Sequence, residues 1–316
     1  KGMRPMFVMM NEARLGVGLQ GLSQAEIAYQ NAVDFAKDRV QGRSLNGAKA
    51  PEKVADPIIV HPDVRRMLLK QKAIAEGGRA MIYFAAQYAD KMISAAQADN
   101  DEEYQKWDDE LGFLTPILKG FLTEKGLEVA NDGMQVFGGH GYIKEHGMEQ
   151  IVRDARISTL YEGTTGIQAL DLLGRKGWIA NGKGLQLLAR RILADVECTT
   201  DDRCQPFAQA LKAMLPRVEA ATAAAGKLMA EQGPRIALSN ANAYLQLMGH
   251  TVAAWMWLRQ ANAAAALDAP EDTDFAQGKL QAAQYFFRWE LPRVELDAQR
   301  LIDADNTFIN MNSRWF

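Results

Sequence analysis

Residues 6–40, MFVMMNEARLGVGLQGLSQAEIAYQNAVDFAKDRV, decide the fold of this chain. Apolar residues recur there every three or four positions, which is the spacing of one face of an α-helix and not the alternation of a strand. The pattern predicts one helix across the whole segment, and helices of about 30 residues are roughly 45 Å long. The predicted inner stripe consists of Leu15, Leu19, Leu22, Ile27, Ala28, Ala32 and Phe35.

The same helical spacing continues along the chain, and no segment alternates as a strand does. The sequence therefore predicts an all-α fold. Further helices are predicted at residues 61–97, 102–137, 167–174, 184–197, 205–231, 234–267 and 273–304. The glycine-rich residues 174–184 are interpreted as a linker. We expect a four-helix-bundle-like domain at residues 1–177 and a second helical bundle at residues 178–316.

Composition and charge are typical of a soluble globular protein. Apolar residues make up 48% of the chain and charged residues 24%, and the net charge is −3. The basic residues form no stripe, which argues against nucleic-acid binding. The most apolar stretch, residues 245–258, is too short to cross a bilayer. Because no signal peptide or disulfide framework is visible, we expect a cytoplasmic protein with reduced thiols at Cys198 and Cys204.

Gly16, Gly18 and Gly21 have the spacing of a dinucleotide-binding loop. That loop requires a strand before it and a second strand carrying an acid about 20 residues later. Both flanks are helical in this sequence. We therefore interpret these glycines as small residues that allow two helices to pack closely.

Two other segments offer groups that could bind a phosphate. The glycines of residues 138–141 could present amides to it, or they could simply end a helix. Arg39 and Arg43 could bind a pyrophosphate, or they could only interact favourably with a helix C-terminus. His140 and His146 lie nearby, but no acid or cysteine at ligand spacing completes a metal site, so no metal is predicted.

Glu162 lies between Tyr161 and a glycine–threonine turn, ahead of the helix predicted from Ile167. A carboxylate in such a place can be kept partly dry and aimed at a cleft, as a general base acting on a weak carbon acid requires. It could also be an exposed loop acid, an ion-pair partner of Arg153 or Arg156, or a helix N-cap. The residues alone leave these alternatives open.

Four motifs in this order resemble the acyl-CoA dehydrogenase family. They are ARLGVGLQGL at residues 13–22, DRVQGR at 38–43, QVFGGHGY at 135–142 and RDARISTLYEGTTGIQ at 153–168. The resemblance covers residues 2–177. The sequence MMNEARLGVGLQGL, the segment HPDVRRMLL at 61–69 and the extra helical C-terminal domain are together similar to the larger bacterial subgroup of the family. It implies FAD-dependent α,β-dehydrogenation of a short or medium acyl-CoA. It also implies a homodimer or homotetramer that passes electrons to an electron-transferring flavoprotein.

The resemblance also implies roles for particular residues. Glu162 matches the catalytic base, which removes the α-proton of the thioester while the β-hydrogen leaves as hydride to the flavin. Cofactor contacts are implied for Arg39, Gln41, Gln135, Gly139 and Thr164. Gln135 and Gly139 would reach the adenosine part of FAD across a subunit interface. Substrate contacts are implied for Arg14 and Tyr161.

Two departures from the family pattern limit these implications. Gly166 stands where many relatives carry glutamine or glutamate near FAD. The family's N-terminal helical domain and central β-domain have no counterpart in this sequence, so we expect a fragment of the enzyme that binds FAD poorly alone. The alternatives are a non-catalytic helical dimerisation module, an isovaleryl-type enzyme with its base on another helix, and a flavin-dependent acyl-CoA oxidase relative.

Overall fold

The computed structural model of this protein describes residues 3–267 and 269–316, without the side chains of residues 3–8 and Ala180. Within these ranges the chain forms helices and no β-strand. The helices are α1 (Met3–Asp38), α2 (Pro62–Gln97), α3 (Asp101–Phe137), α4 (Gly139–Tyr142), α5 (Met148–Ser158), α6 (Thr165–Asp171), α7 (Lys183–Glu197), α8 (Gln205–Gln232), α9 (Pro234–Ala237), α10 (Ala241–Ala265), α11 (Thr273–Tyr285) and α12 (Arg293–Ile302). The predicted all-α fold is confirmed.

The long helices α1, α2 and α3 form where the periodicity predicts them, whereas shorter elements differ from the prediction. Helix α5 was not predicted. The single helix predicted at residues 234–267 is wrong, because Asn240 separates α9 from α10. The single helix predicted at residues 273–304 is also wrong. A π-helical turn, Phe286–Glu290, and Pro292, which has no amide hydrogen to donate, interrupt it.

Helices α1 and α3 pack through glycines, as the close-packing interpretation predicted. A Cβ atom on Gly126 of α3 would lie 2.4 Å from the carbonyl oxygen of Gly21 on α1. A Cβ atom on Gly21 would in turn lie 2.8 Å from the carbonyl oxygen of Leu122. The backbones of the two helices are therefore in direct contact, and the glycine pattern in α1 serves packing.

This contact changes which face of α1 is buried. Leu19 and Ile27, which were predicted in the inner stripe, are 46% and 48% exposed. Leu22, Ala28 and Ala32 of the predicted stripe are buried, and so is Ala25, which was not in the predicted stripe. The prediction for Leu19 and Ile27 is wrong because the approach of α3 requires small side chains, and the larger apolar ones lie outside that contact.

We expect Gly126→Ala to lower the free energy of unfolding by about 1–3 kcal/mol, the usual cost of overpacking a core. The added methyl meets backbone, which cannot rotate away as a side chain could. Gly16→Ala is the matched control, because a Cβ at Gly16 has no atom within 4 Å. It should raise stability by up to ~1 kcal/mol through helix propensity. Urea denaturation checks both values, and equal stability of the two variants would contradict the contact.

The two halves of the chain share one apolar core. The largest buried cluster contains residues of α2 and α3 together with residues of α7, α8, α10, α11 and α12. Across this boundary, the Trp257 indole donates a hydrogen bond of 2.9 Å to the carbonyl oxygen of Ala73. Arg191 makes two hydrogen bonds, of 2.7 and 2.8 Å, to the buried Glu110 carboxylate.

The expected linker at residues 174–184 is wrong. The π-helical turn Leu172–Lys176 and a 3-10 turn at Ile179–Asn181 occupy most of it. The Trp178 ring packs against Gly226, where a Cβ atom would lie 2.9 Å from the ring. Within the segment, Gly184 permits a close contact with α3, because a Cβ atom there would lie 2.8 Å from the Phe113 ring.

Candidate active site

Glu162 lies in the turn between α5 and α6, with a half-buried side chain. Its φ angle is 53° and that of Gly163 is 89°, so two successive residues have left-handed backbone. This conformation costs a non-glycine residue roughly 1–2 kcal/mol. Gly163 has no alternative, because a Cβ atom there would also lie 2.7 Å from Nε2 of Gln168. Strain of this kind persists only where the surrounding structure holds it.

Buried polar side chains hydrogen-bond to this turn from the core side. The Lys119 ammonium on α3 donates a 2.7 Å hydrogen bond to the carbonyl oxygen of Gly163. Gln168 Nε2 donates to the carbonyl oxygen of Glu162 at 3.1 Å. Both side chains are fully buried, and burial lowers the pKa of the Lys119 ammonium to about 8. Neither residue was predicted, although a lysine within the apolar stretch at residues 113–122 was a signal.

Thr164 and Thr165 fix the start of α6. Thr164 is the N-cap residue of the helix, and its Oγ1 accepts a hydrogen bond of 3.4 Å from the amide of Ile167. Thr165 Oγ1 donates to the Glu124 carboxylate on α3. The N-cap alternative for Glu162 is therefore wrong, and its carboxylate has no part in capping α6.

Arg14 and Tyr161 lie on the same side of the bundle as Glu162. Arg14 is 5% exposed, and its Nη1 lies 3.6 Å from Oδ2 of Asp171 on α6. The Tyr161 hydroxyl donates to the side-chain oxygen of Gln20 on α1. The turn thus has contacts to α1, α3 and α6. These contacts place Glu162, Arg14 and Tyr161 on the same side of the helical bundle.

Large apolar side chains on the two helices that flank Glu162 are exposed. Four large apolar side chains of α5, α6 and the turn are between 43% and 50% exposed, namely Ile157, Leu160, Ile167 and Leu170. Exposed apolar patches beside a polar group are typical of surfaces that a ligand or another protein segment covers. The surface therefore suits an acyl chain or a neighbouring domain.

Arg39, Gln41, Gln135 and Gly139 line a second region, an open cavity of about 780 Å³ at the other end of α1. The Arg39 side chain is exposed and forms no ion pair with any described residue. Gly138, beside it, has a φ angle of 59°, and Cβ atoms at Gly138 or Gly139 would meet nothing within 4 Å. A free guanidinium beside an open glycine turn can bind a phosphate. The structure thus brings together four of the five predicted cofactor contacts, but not Thr164.

The loop that closes one wall of this cavity is organised by Asp56. Its carboxylate accepts amide hydrogen bonds of 2.8 to 2.9 Å from Ser44, Lys49 and Ala50, and one of 3.2 Å from the Arg43 guanidinium. These hydrogen bonds, that from Ser44 above all, lower the pKa of Asp56 to about 2. Of the two arginines considered for a pyrophosphate, Arg43 is therefore bound within the loop, and only Arg39 has a guanidinium without a partner among the described residues.

The two regions are far apart within one molecule. Gln20, which the Tyr161 hydroxyl contacts, and Arg39 lie on or next to α1, about 28 Å apart at 1.5 Å of rise per residue. A group bound at one region is therefore well separated from a group bound at the other. Thr164 belongs to the first region, and the other four predicted cofactor contacts belong to the second.

His140 and His146, near the cavity, make aromatic contacts. The rings of His140 and His146 are 5.2 Å apart, and both lie near Phe35. Phe35 stacks on Phe137 at 4.0 Å. Among the described residues, no group of three or more His, Cys, Asp or Glu side chains could hold a metal ion. The described helices include none that is long and apolar enough to span a bilayer.

Comparison with known proteins identifies relatives of this chain. Residues 1–177 match the family described as acyl-CoA dehydrogenase, C-terminal domain, and residues 188–312 match the family described as acetyl-CoA dehydrogenase C-terminal like. The 3-methylmercaptopropionyl-CoA dehydrogenase of Ruegeria pomeroyi is 38% identical over 314 residues, which cover 98% of this chain and 52% of that protein. The chain spans about half the length of the curated relatives it matches.

Solved structures show the same fold at low sequence identity. ACDH-11 of Caenorhabditis elegans in complex with C11-CoA superposes with a TM-score of 0.77 at 18% identity, covering 99% of this chain and 49% of that one. An acyl-CoA dehydrogenase complexed with FAD from Bacillus anthracis gives 0.76 at 18% identity, with 98% and 51% covered. These likenesses extend over both halves of the chain, including the region beyond residue 177.

Proposed function

We propose that this chain, which belongs to the acyl-CoA dehydrogenase family, provides the catalytic base and part of the flavin site of an FAD-dependent acyl-CoA dehydrogenase. One observation carries the proposal. Glu162 is a half-buried carboxylate on a left-handed turn, held from the buried side, with exposed apolar side chains on the two helices that flank it. A base for a weak carbon acid needs this combination of fixed position and low polarity.

The proposed reaction oxidises an acyl-CoA thioester to the α,β-unsaturated thioester. The Glu162 carboxylate takes the α-proton, and the electron pair of that C–H bond becomes part of the new double bond. The flavin, when bound, accepts the β-hydrogen as hydride and is thereby reduced by two electrons. Developing charge on the thioester oxygen requires hydrogen-bond donors, and we assign the backbone amide of Glu162 as one of them.

The cofactor contacts fit the second region of the structure. Arg39 would pair with the diphosphate, because a guanidinium makes charge-assisted hydrogen bonds to phosphate oxygens. Gln41, Gln135 and Gly139 line the same cavity and would contact the rest of the nucleotide half of FAD. Since this cavity is too far from Glu162 of the same molecule, a second copy would provide it for each flavin. We therefore propose a homodimer or a homotetramer built from such pairs.

Electrons would then pass to an electron-transferring flavoprotein. The full-length protein from the intact gene, loaded with FAD, should lose its oxidised-flavin absorbance when an acyl-CoA is added without oxygen. A panel of short and medium acyl-CoA thioesters would identify the preferred chain length. If no member of the panel bleaches the flavin, the chain has no dehydrogenase function and a helical dimerisation module is the better account.

A further inference from the structure

We propose that Lys119, together with Gln168, is a positioning residue that holds Glu162 in place for proton abstraction. The inference rests on the proposed function, because it concerns the same base. Lys119 lies in the middle of α3, 43 positions before Glu162 in sequence, and its side chain is fully buried. It does not face the apolar surface where the substrate would lie, so it acts through the turn.

The two buried side chains bind consecutive carbonyl groups. Lys119 Nζ lies 2.7 Å from the carbonyl oxygen of Gly163. Gln168 Nε2 lies 3.1 Å from the carbonyl oxygen of Glu162 and 3.5 Å from that of Gly163. Both residues with left-handed backbone are thus held by their carbonyls from the buried side of the turn.

This arrangement directs the other side of the turn outward. In a trans peptide the carbonyl and the following amide point in opposite directions. The amides of Gly163 and Thr164 therefore point away from Lys119 and Gln168. Neither these amides nor that of Glu162 donates to any acceptor among the described residues. Lys119 and Gln168 therefore fix the direction of the amides of Gly163 and Thr164, and with it the position of the Glu162 side chain.

An apolar side chain at position 119 would avoid the cost of burying a cation. Lys119 forms no ion pair with any described carboxylate, although Glu124 and Glu162 lie near enough to favour its charged form and Arg14 opposes it. Its one hydrogen bond is to the turn that carries the base. Packing alone does not explain a lysine at this position, whereas holding the turn does.

The test compares two buried lysines of α3 in the full-length enzyme loaded with FAD. Lys119→Met should slow flavin reduction at saturating acyl-CoA by about 10–100-fold, as expected when a reacting group is misplaced by about 1 Å. The affinity for acyl-CoA should change little, because the apolar surface is untouched. Lys125→Met is the matched control. Lys125 is 2% exposed and pairs with Glu128 and Glu290, with no hydrogen bond to the turn, so its loss should leave the reduction rate near that of the wild type.

An isotope effect separates positioning from a general loss of structure. With α-deuterated acyl-CoA, the Lys119→Met enzyme should show a larger kinetic isotope effect than the wild type, because proton abstraction becomes slower relative to hydride transfer. Gln168→Met should change the rate and the isotope effect in the same direction, and it carries the test if Lys119→Met does not fold.

Two outcomes overturn different claims. If the Lys119 and Gln168 variants reduce the flavin as fast as Lys125→Met, with an unchanged isotope effect, the positioning role is wrong while the base assignment stands. If Glu162→Gln reduces the flavin at the wild-type rate, Glu162 is not the catalytic base and that part of the proposed function is wrong.

Discussion

The full-length enzyme carrying Glu162→Gln is expected to reduce its flavin with acyl-CoA about 10²–10⁴-fold more slowly than the wild type, the usual contribution of a general base. Glutamine has almost the same shape as glutamate and can occupy the same left-handed turn, so the variant removes basicity without removing volume. The backbone of the turn depends on Lys119 and Gln168, which the substitution leaves in place. Anaerobic stopped-flow absorbance of the flavin measures the rate.

Two controls make this result specific. Glu102→Gln removes an exposed carboxylate from the first turn of α3 and should leave the rate unchanged. Glu162→Asp keeps a carboxylate but shortens the side chain by one methylene, so its activity should lie between those of the wild type and Glu162→Gln. Unchanged flavin bleaching in Glu162→Gln would move the base to another residue, as in the isovaleryl-type alternative.

Mixing two inactive variants is expected to restore activity. The first variant, Glu162→Gln, lacks the base, and the second, Arg39→Glu, would repel the cofactor diphosphate. Since Gln20, which contacts the turn of the base, and Arg39 are about 28 Å apart along α1, each flavin would take its base from one copy and its nucleotide cavity from another. In a randomly mixed dimer, half the molecules are hybrids with one intact site of two, so about a quarter of the wild-type activity should return.

The measurement is turnover after the two variants are unfolded together and refolded, or coexpressed with different tags. Each variant alone, taken through the same procedure, is the control and should stay inactive. Hybrid dimers isolated by both tags but without activity would contradict the shared site. They would mean that base and cavity serve the same flavin within one molecule, against the length of α1.

The sequence predicts the helices well because burial of one face imposes a period of 3.6 residues over long segments. It predicts the buried face less well. The largest apolar residues of α1, such as Leu19 and Ile27, were assigned to the core, yet Gly21 and neighbouring alanines form the contact with α3. The choice between small and large residues depends on how closely a second helix approaches, and periodicity carries no information on that distance.

For the candidate site too, the sequence indicates some residues and misses others. Glu162 and Arg39 were proposed from local motifs, because a turn or a helix end depends on neighbouring residues, and Gln135 was proposed from the family resemblance. Lys119 was not found, because its contact with the turn joins residues 44 positions apart. Asp56 was not found either, since its role comes from three loop amides that converge only after folding. Long-range polar contacts of this kind have no periodic signature in a sequence.

The most direct test of the central claim is exchange of the α-hydrogen, because it isolates the base from the flavin step. An acyl-CoA analogue with sulfur in place of the β-carbon can lose an α-proton but has no hydride to transfer. With the full-length enzyme in deuterated water, the wild type should exchange the α-hydrogen of this analogue, and Glu162→Gln should exchange it about 10²–10⁴-fold more slowly. Exchange at the wild-type rate in Glu162→Gln would contradict the assignment of Glu162 as the catalytic base.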